Sequence, residues 1–337
     1  MVTIYDIAKK ANCSAMTVSK VINNTGKISE STRQRIQQIM TQMNYVPNSN
    51  ARSLVLQQTK LLSLLIADIT NPFYTTLARG AEDEAKRLGY QLLFSNSDES
   101  IVKEQEYIET VLSARVAGVM ITPVGDSSLN HLKLLEQYRI PFVLIDREVP
   151  GVDADAVLGD SKEGASQLTE HLIALGHRRI AMINGHLETS TARYRLEGYQ
   201  QTLRSHDIPY DEQLMMEMGF NQTNADEHMS KLLSLKEPPT AIFAANNLIA
   251  LAAIRSLRHK GYLVPEDMSI VCFDDLETNY VLDPFLTVAS QPAYDFGTVG
   301  IQTLIERIQG NRKQIKHIVL PPKLIVRGSS AVRIITQ

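Results

Sequence analysis

Cysteine is nearly absent, with only Cys13 and Cys272 in 337 residues. Both sit in apolar contexts without metal-ligand spacing, which excludes a disulfide framework and a structural zinc site and predicts buried core thiols in a reducing compartment. No apolar signal segment opens the chain, and no run approaches the roughly 18 apolar residues of a membrane span, so a cytoplasmic protein with no membrane partner is expected. G-x-G-x-x-G, P-loop, nucleophile-elbow and metal-spaced histidine motifs are missing as well, which argues against an enzyme and predicts neither cofactor nor metal. Low-complexity tracts and short internal repeats are also lacking.

What is present begins at residue 3. In TIYDIAKKANCSAMTVSKVIN (3 to 23), Thr3 caps a first helix with Asp6 three positions on, and Ile4, Ile7, Ala8 and Ala11 recur at helical spacing. Asn12-Cys13 breaks the pattern and Ser14 caps a second helix, with Val18, Val21 and Ile22 inward and Ala15, Met16, Ser19 and Lys20 outward. A third helix from the Ser29 cap carries Ile36, Ile39, Met40 and Met43 and stops at Tyr45-Val46-Pro47. This is the pattern of a helix-turn-helix headpiece, whose second helix enters the major groove of DNA. Many helical pairs bind nothing, and charge separates the two cases. Residues 1 to 60 hold eight Lys or Arg against Asp6 and Glu30, a net of +6, which leaves −9 on the remaining 277 residues of a chain whose total is −3. A basic head on an acidic body suits phosphate binding with counterion release.

Beyond Lys60, short apolar runs alternate with amphipathic helical stretches. LLSLLI (61 to 66) precedes a helix with Leu77, Ala81, Ala85 and Leu88 on one face, and QLLF, GVMIT, PFVLI, RIAMI, TAIFA and SIVCF follow at helix-length intervals. Such alternation predicts parallel sheets buried on both faces. The runs are too many for one ordinary sheet, so two α/β lobes are expected, with the chain crossing near 159 to 163 and 288 to 292. Ligands of such sheets sit beyond the carboxyl ends of the strands. Asn71, Asp146-Arg147, Asn246 and Asp274 end apolar runs, two positions in each lobe, and would ring a polyhydroxy ligand that Phe73, Tyr74 and Phe220 stack against. Taken singly, each Asp or Asn is equally suited to capping the next helix.

With TIYDIAKKA, TVSKVIN, YVPN, ARSL, LGHRRIAMI, FDD and SQPAYDFG in order, the chain resembles the lactose-repressor (LacI/GalR) family of bacterial transcription regulators over essentially its whole length. DITNPFY, LARGAEDE and SNSDE resemble, within that family, the ribose operon repressors of Gram-positive bacteria. The resemblance implies an α/β protein with an all-α helix-turn-helix headpiece (1–47), a hinge helix and linker (48–60), and a two-lobed periplasmic-binding-protein-like core with parallel sheets (61–337). The first lobe would hold about 61–161 and 291–322, the second about 162–290 and 323–337.

By the same resemblance, Leu54 matches a hinge leucine that wedges into the minor groove, and poor helix formers such as Ser49 and Asn50 suit a helix that forms only on DNA. The expected DNA contacts are Thr3, Ser14, Ala15, Met16, Thr17, Ser19, Lys20, Asn23, Arg52 and Leu54. Lys20 stands where the family most often has Arg, so it offers a point donor in place of a bidentate one. The implied effector contacts are Asn71, Phe73, Tyr74, Asp146, Arg147, Arg195, Phe220, Asn246, Asp274 and Gln291, with Arg193 competing for the role of Arg195. Asn247 replaces a common Asp and Cys272 a common Gly. No leucine heptad tail follows Arg327, which predicts a homodimer.

The expected function is a repressor that grips a palindromic operator as a dimer and is controlled by a small sugar, ribose, its phosphate or a related pentose. A hexose, a purine or a phosphorylated carrier protein are the alternative effectors. From other classes, the alternatives are a sugar receptor without a DNA role and a carbohydrate enzyme using Asp146 and Asp274 as acid and base. His177, lone after Leu-Gly, is expected at a helix end against the negative end of the dipole.

Overall fold

The computed structural model describes residues 2–45, 59–219, 225–276, 284–311 and 314–333. The chain divides into two compact units, Met1–Thr59 and Lys60–Gln337.

The first unit contains α1 (Ile4–Lys10), α2 (Ala15–Ile22) and α3 (Glu30–Gln42). Each starts where a side chain satisfies a free backbone amide. Thr3 and Asp6 form a reciprocal capping box, Ser14 accepts from the Thr17 amide, and Ser29 accepts from the Thr32 amide. Asn12, Asn24 and Asn44 end the three helical stretches with positive φ, a conformation that asparagine tolerates better than most residues. Ile7, Ala8, Ala11, Val18, Val21, Ile36 and Ile39 form the core. Cys13 is only half-buried against that core, in contrast to the buried thiol expected from its apolar neighbours. It lies in the turn between two helices, where one side of the side chain has nothing to pack against.

The second unit opens with β1 (Leu61–Ile66), α4 (Pro72–Arg87), β2 (Gln91–Asn96), α5 (Ile101–Ala114), β3 (Gly118–Ile121), α6 (Leu129–Gln137), β4 (Phe142–Ile145) and β5 (Asp155–Gly159). It continues with α7 (Ser161–Ala174), β6 (Ile180–Asn184), α8 (Ser190–Ser205), β7 (Met215–Glu217), α9 (Ala225–Leu233), β8 (Ala241–Ala244), α10 (Asn247–His259), β9 (Ser269–Phe273) and β10 (Thr287–Ser290). The last elements are α11 (Ala293–Ile308), β11 (His317–Leu320) and β12 (Lys323–Ile325).

Two six-stranded sheets result, ordered β11-β5-β4-β3-β1-β2 and β12-β10-β9-β8-β6-β7. The first is covered on one face by α4 and α11 and on the other by α5 and α6; the second lies between α7 with α8 and α9 with α10. All pairings are parallel except β10 with β12. The exception has a simple cause. Strand β12 follows β11 after two residues, so chain leaving the carboxyl edge of one sheet enters the carboxyl edge of the other and runs backwards. One apolar run departs from the expected burial on both faces. Strand β2 is an edge strand, and Leu93 and Phe94 are 46% and 41% exposed.

Helices α4 and α11 cross at two glycines. A Cβ on Gly80 would lie 2.1 Å from the Tyr294 carbonyl oxygen, and one on Gly297 would lie 2.0 Å from that of Leu77. Only hydrogen fits there. The crossing ties α11, which follows β10 of the second sheet, to the first lobe, so the carboxyl edges of both sheets face one cleft.

His177 stands just past the end of α7 as expected, its amide donating to the Leu172 carbonyl at 3.1 Å, but its imidazole does not serve the helix dipole. It is buried, bonded to Thr240, Ser269 and the Ala331 carbonyl, and burial lowers its pKa, so it serves as a neutral connector of the second lobe.

Candidate functional site

In the first unit, α2 carries Met16, 68% exposed, and the exposed Lys20, whose stem lies over Gly26. Ser19 sits on the same helix, half-buried, and accepts from the Asn23 amide at 3.3 Å. Several of the expected DNA contacts also have structural work. The hydroxyls of Thr3 and Ser14 cap α1 and α2, and that of Thr17 bonds to Ser14 at 2.9 Å. Ala15 departs from the outward face assigned to it: it is half-buried and packs against the headpiece core. Arg52 and Leu54 lie outside the described residues, as do Ser49 and Asn50.

In the second unit, Asn71, Phe73, Tyr74, Asp146, Arg147, Arg195, Asn246 and Asp274 line one cavity of about 20 Å³, room for about one water. Phe220 lies outside the described residues. Asn71 and Asn246 do double duty. Each caps the helix that follows, Asn71 Oδ1 accepting from the Phe73 amide at 3.0 Å and Asn246 Oδ1 from the Ile249 amide at 2.8 Å. Capping fixes the rotamer and leaves the side-chain amide nitrogen as the group that can donate to a ligand.

Asp146 and Asp274 follow β4 and β9 with φ of 66° and 64°, an orientation that turns each carboxylate into the cleft. Tyr74 Oη donates to Asp146 Oδ2 at 2.9 Å, and Gln291 Nε2 donates to Asp274 Oδ1 at 2.8 Å. Burial pushes both carboxyls up, Asp274 to about 6, against the pull of Arg195 and, for Asp146, of Arg147.

The two arginines are held differently. Arg147 forks onto Glu99 at 2.6 and 2.7 Å and donates to the Pro123 and Val124 carbonyls at 3.2 and 3.0 Å. Arg195 donates to the Ala245 carbonyl at 2.7 Å, with its guanidinium 4.1 Å from the Phe273 ring centroid. Arg193 turns away to Asp126, so of the two competing arginines it is Arg195 that reaches the cavity. Gln291 lines a neighbouring open pocket of about 350 Å³, shared with Phe73 and Asp274, and reaches the smaller cavity only through its bond to Asp274. Phe73 packs edge-on against Tyr74 and Phe296, so its ring is part of the core as well as the cavity wall.

Lobe-to-lobe contacts surround the cavity. The Asp126 amide donates to the Glu188 carbonyl at 3.0 Å, the Glu148 amide to Ser190 Oγ at 3.0 Å, and Asn247 Nδ2 to Asn71 Oδ1 at 3.4 Å. The lobes are closed.

The sequence profile of bacterial regulatory proteins, lacI family, matches residues 3–48, and that of the periplasmic binding protein-like domain matches residues 169–330. The chain is 37% identical over 331 residues to the HTH-type transcriptional regulator DegA of Bacillus subtilis (strain 168), with 98% of each chain covered. It is 34% identical over 330 residues to the ribose operon repressor of Halalkalibacterium halodurans, covering 98% of this chain and 97% of that one. Among solved structures, the lac repressor dimer bound to operator and the anti-inducer ONPF matches with a TM-score of 0.84 at 26% identity, over 98% of this chain and 99% of that chain. The chain belongs to the lacI family of bacterial regulatory proteins.

Within this lacI-family core, three cavity residues escaped the sequence reading: Asp68, Glu99 and Thr191. Glu99 lies three residues past the end of β2, whereas Asp146 directly follows β4, so the strand-end rule passes over it. Its φ of 56° and its pairing with Arg147, 48 residues away, leave no local pattern. Thr191 sits in the first turn of α8, where a threonine reads as an ordinary helix-start residue. Among the described residues, no helix is long and apolar enough to cross a membrane and no group of His, Cys, Asp and Glu could hold a metal ion.

Proposed function

We propose that the protein is a cytoplasmic, non-enzymatic repressor that binds a palindromic operator as a homodimer and is controlled by a pentose, ribose or a close relative, held in the cleft between the lobes. The observation that carries this reading is the ring of Asn71, Asp146, Arg147, Arg195, Asn246 and Asp274, contributed by both lobes and buried. Acids, amides and guanidiniums alternate around it, which is the donor and acceptor mixture a polyhydroxy ligand satisfies. Similarity to a ribose operon repressor supports the pentose. A cavity of about 20 Å³ admits the sugar only as the lobes separate, so binding and lobe movement are one event. In the DNA-binding half, Met16, Ser19 and Lys20 on α2 are the side chains proposed to meet base edges, with apolar contact from Met16 to thymine methyls. Arg52 and Leu54 are proposed to act at the minor groove.

Coupling between the sites follows if sugar changes lobe closure and closure changes operator affinity, typically by about 1 to 3 kcal/mol. Calorimetry of the purified protein with ribose, hexoses and purines, followed by operator titrations with and without each binder, tests this. Heat with ribose and a shift of operator affinity are expected. Silence with every pentose removes the ribose assignment.

A further inference from the structure

Taking the cleft as the effector site, as proposed above, we propose that it admits an uncharged polyhydroxy ligand and excludes the phosphate ester of the same sugar. The charge balance carries this. The cavity is lined by four carboxylates, Asp68, Glu99, Asp146 and Asp274, against two guanidiniums, Arg147 and Arg195, a formal excess of two negative charges among the lining residues. The cations are also partly committed. Both terminal nitrogens of Arg147 lie on Glu99, one of them also on two backbone carbonyls, and its Nε is 3.8 Å from Asp146. Arg195 spends one terminal nitrogen on the Ala245 carbonyl and stacks on Phe273, while its buried Nε has no hydrogen-bond partner. Arg193, which could have supplied a third charge, is held by both oxygens of Asp126 at 2.8 and 3.1 Å.

Helix N-termini are the other common anion receptors, and α4, α8 and α10 all begin near the cavity. Each is already capped. Asn71, Thr189 and Asn246 accept from the Phe73, Ala192 and Ile249 amides, and Pro72 removes a further amide at the start of α4. A phosphate ester, carrying about −1.5 to −2 charges near neutral pH, would enter a cleft whose lining already carries a formal excess of negative charge. Sugar hydroxyls face the opposite balance, because each buried carboxylate accepts what a hydroxyl donates.

Isothermal calorimetry on the full-length protein with matched pairs, ribose with ribose 5-phosphate and glucose with glucose 6-phosphate, plus inorganic phosphate, tests the proposal. The neutral member of the binding pair is expected to bind about 100-fold tighter than its ester. Glu99→Gln, which removes one charge and releases the Arg147 fork, is expected to narrow that ratio by about tenfold. An ester binding as tightly as its parent sugar overturns the proposal, and so does a panel in which no neutral sugar produces heat. An unchanged ratio in Glu99→Gln overturns the assignment of the exclusion to this charge balance. Silence with ribose alongside discrimination in the glucose pair removes the pentose reading only and leaves this one standing.

Discussion

Asp146 and Asp274 hold the same station in two sheets of the same topology. Each follows the fourth of five successive parallel strands, each adopts a left-handed backbone (φ 66° and 64°), and each donates its amide to the adjacent fifth strand, Asp146 to the Val157 carbonyl and Asp274 to that of Ala289. The two lobes thus present one carboxylate apiece to the cleft from equivalent corners.

That placement makes stability pH-dependent. Burial raises Asp274 to about 6 from the ordinary 3.8, so the folded state binds this proton more tightly than the unfolded chain does. The resulting stabilisation is full below the unfolded value and is lost as pH rises through about 6. Asp146 is shifted in the same direction. Thermal melts should therefore show Asp274→Asn more stable than the parent at pH 8, by up to about 3 kcal/mol, and near parity at pH 4. A gain that is the same at both pH values would show that the carboxyl is not shifted.

Removing Arg147 should cost much more than removing an exposed cation. Its guanidinium neutralises Glu99 and lies beside Asp146, and it is 3% exposed. Arg147→Met is expected to lower stability by about 3 to 5 kcal/mol, because an uncompensated acid remains buried. Chemical denaturation reads this directly, and the double variant with Glu99→Gln should recover part of the loss. No recovery would mean that the pair is not coupled.

The bridge from Arg193 to Asp126 joins the lobes but is partly exposed, with side chains 35% and 42% accessible. Solvent screening limits its worth to about 1 kcal/mol or less. Asp126→Asn should weaken the effector by about two- to fivefold with little change in melting temperature. Calorimetry with the bound sugar checks it, and an unaltered affinity would show that the bridge is equally present in both lobe positions.

On the DNA side, Lys20→Ala should cost about 1 to 3 kcal/mol on the operator and little on random duplex if the ammonium meets a base edge. Equal losses on the two duplexes would place it on phosphate. Ser14→Ala, which deletes the cap of α2, should lower headpiece stability by about 1 kcal/mol and weaken both kinds of DNA through misplacement of that helix.

At the α4–α11 crossing, Gly297→Ala places a methyl where the Leu77 carbonyl lies 2.0 Å away. Helix propensity favours alanine there, but the clash forces the helices apart, and a loss of about 1 to 3 kcal/mol is expected. A melt showing stabilisation would mean that the crossing can widen.

Local chemistry was enough for the sequence alone to determine the three headpiece helices with their Thr3, Ser14 and Ser29 caps, the alternation of strands and helices, and the strand-end positions Asn71, Asp146, Arg147, Asn246 and Asp274. Caps and periodicity act over a few residues, so they are written where they operate. Tertiary structure decided the rest. Whether Arg193 or Arg195 enters the cleft depends on Asp126 of the opposite lobe, and the charge state of the site depends on Glu99, which meets Arg147 only because β2 and β4 end at the same sheet edge. The reversed direction of β12 likewise came from the geometry of crossing between sheets. Pairing energy belongs to two residues at once, and a single stretch of sequence carries only one of them.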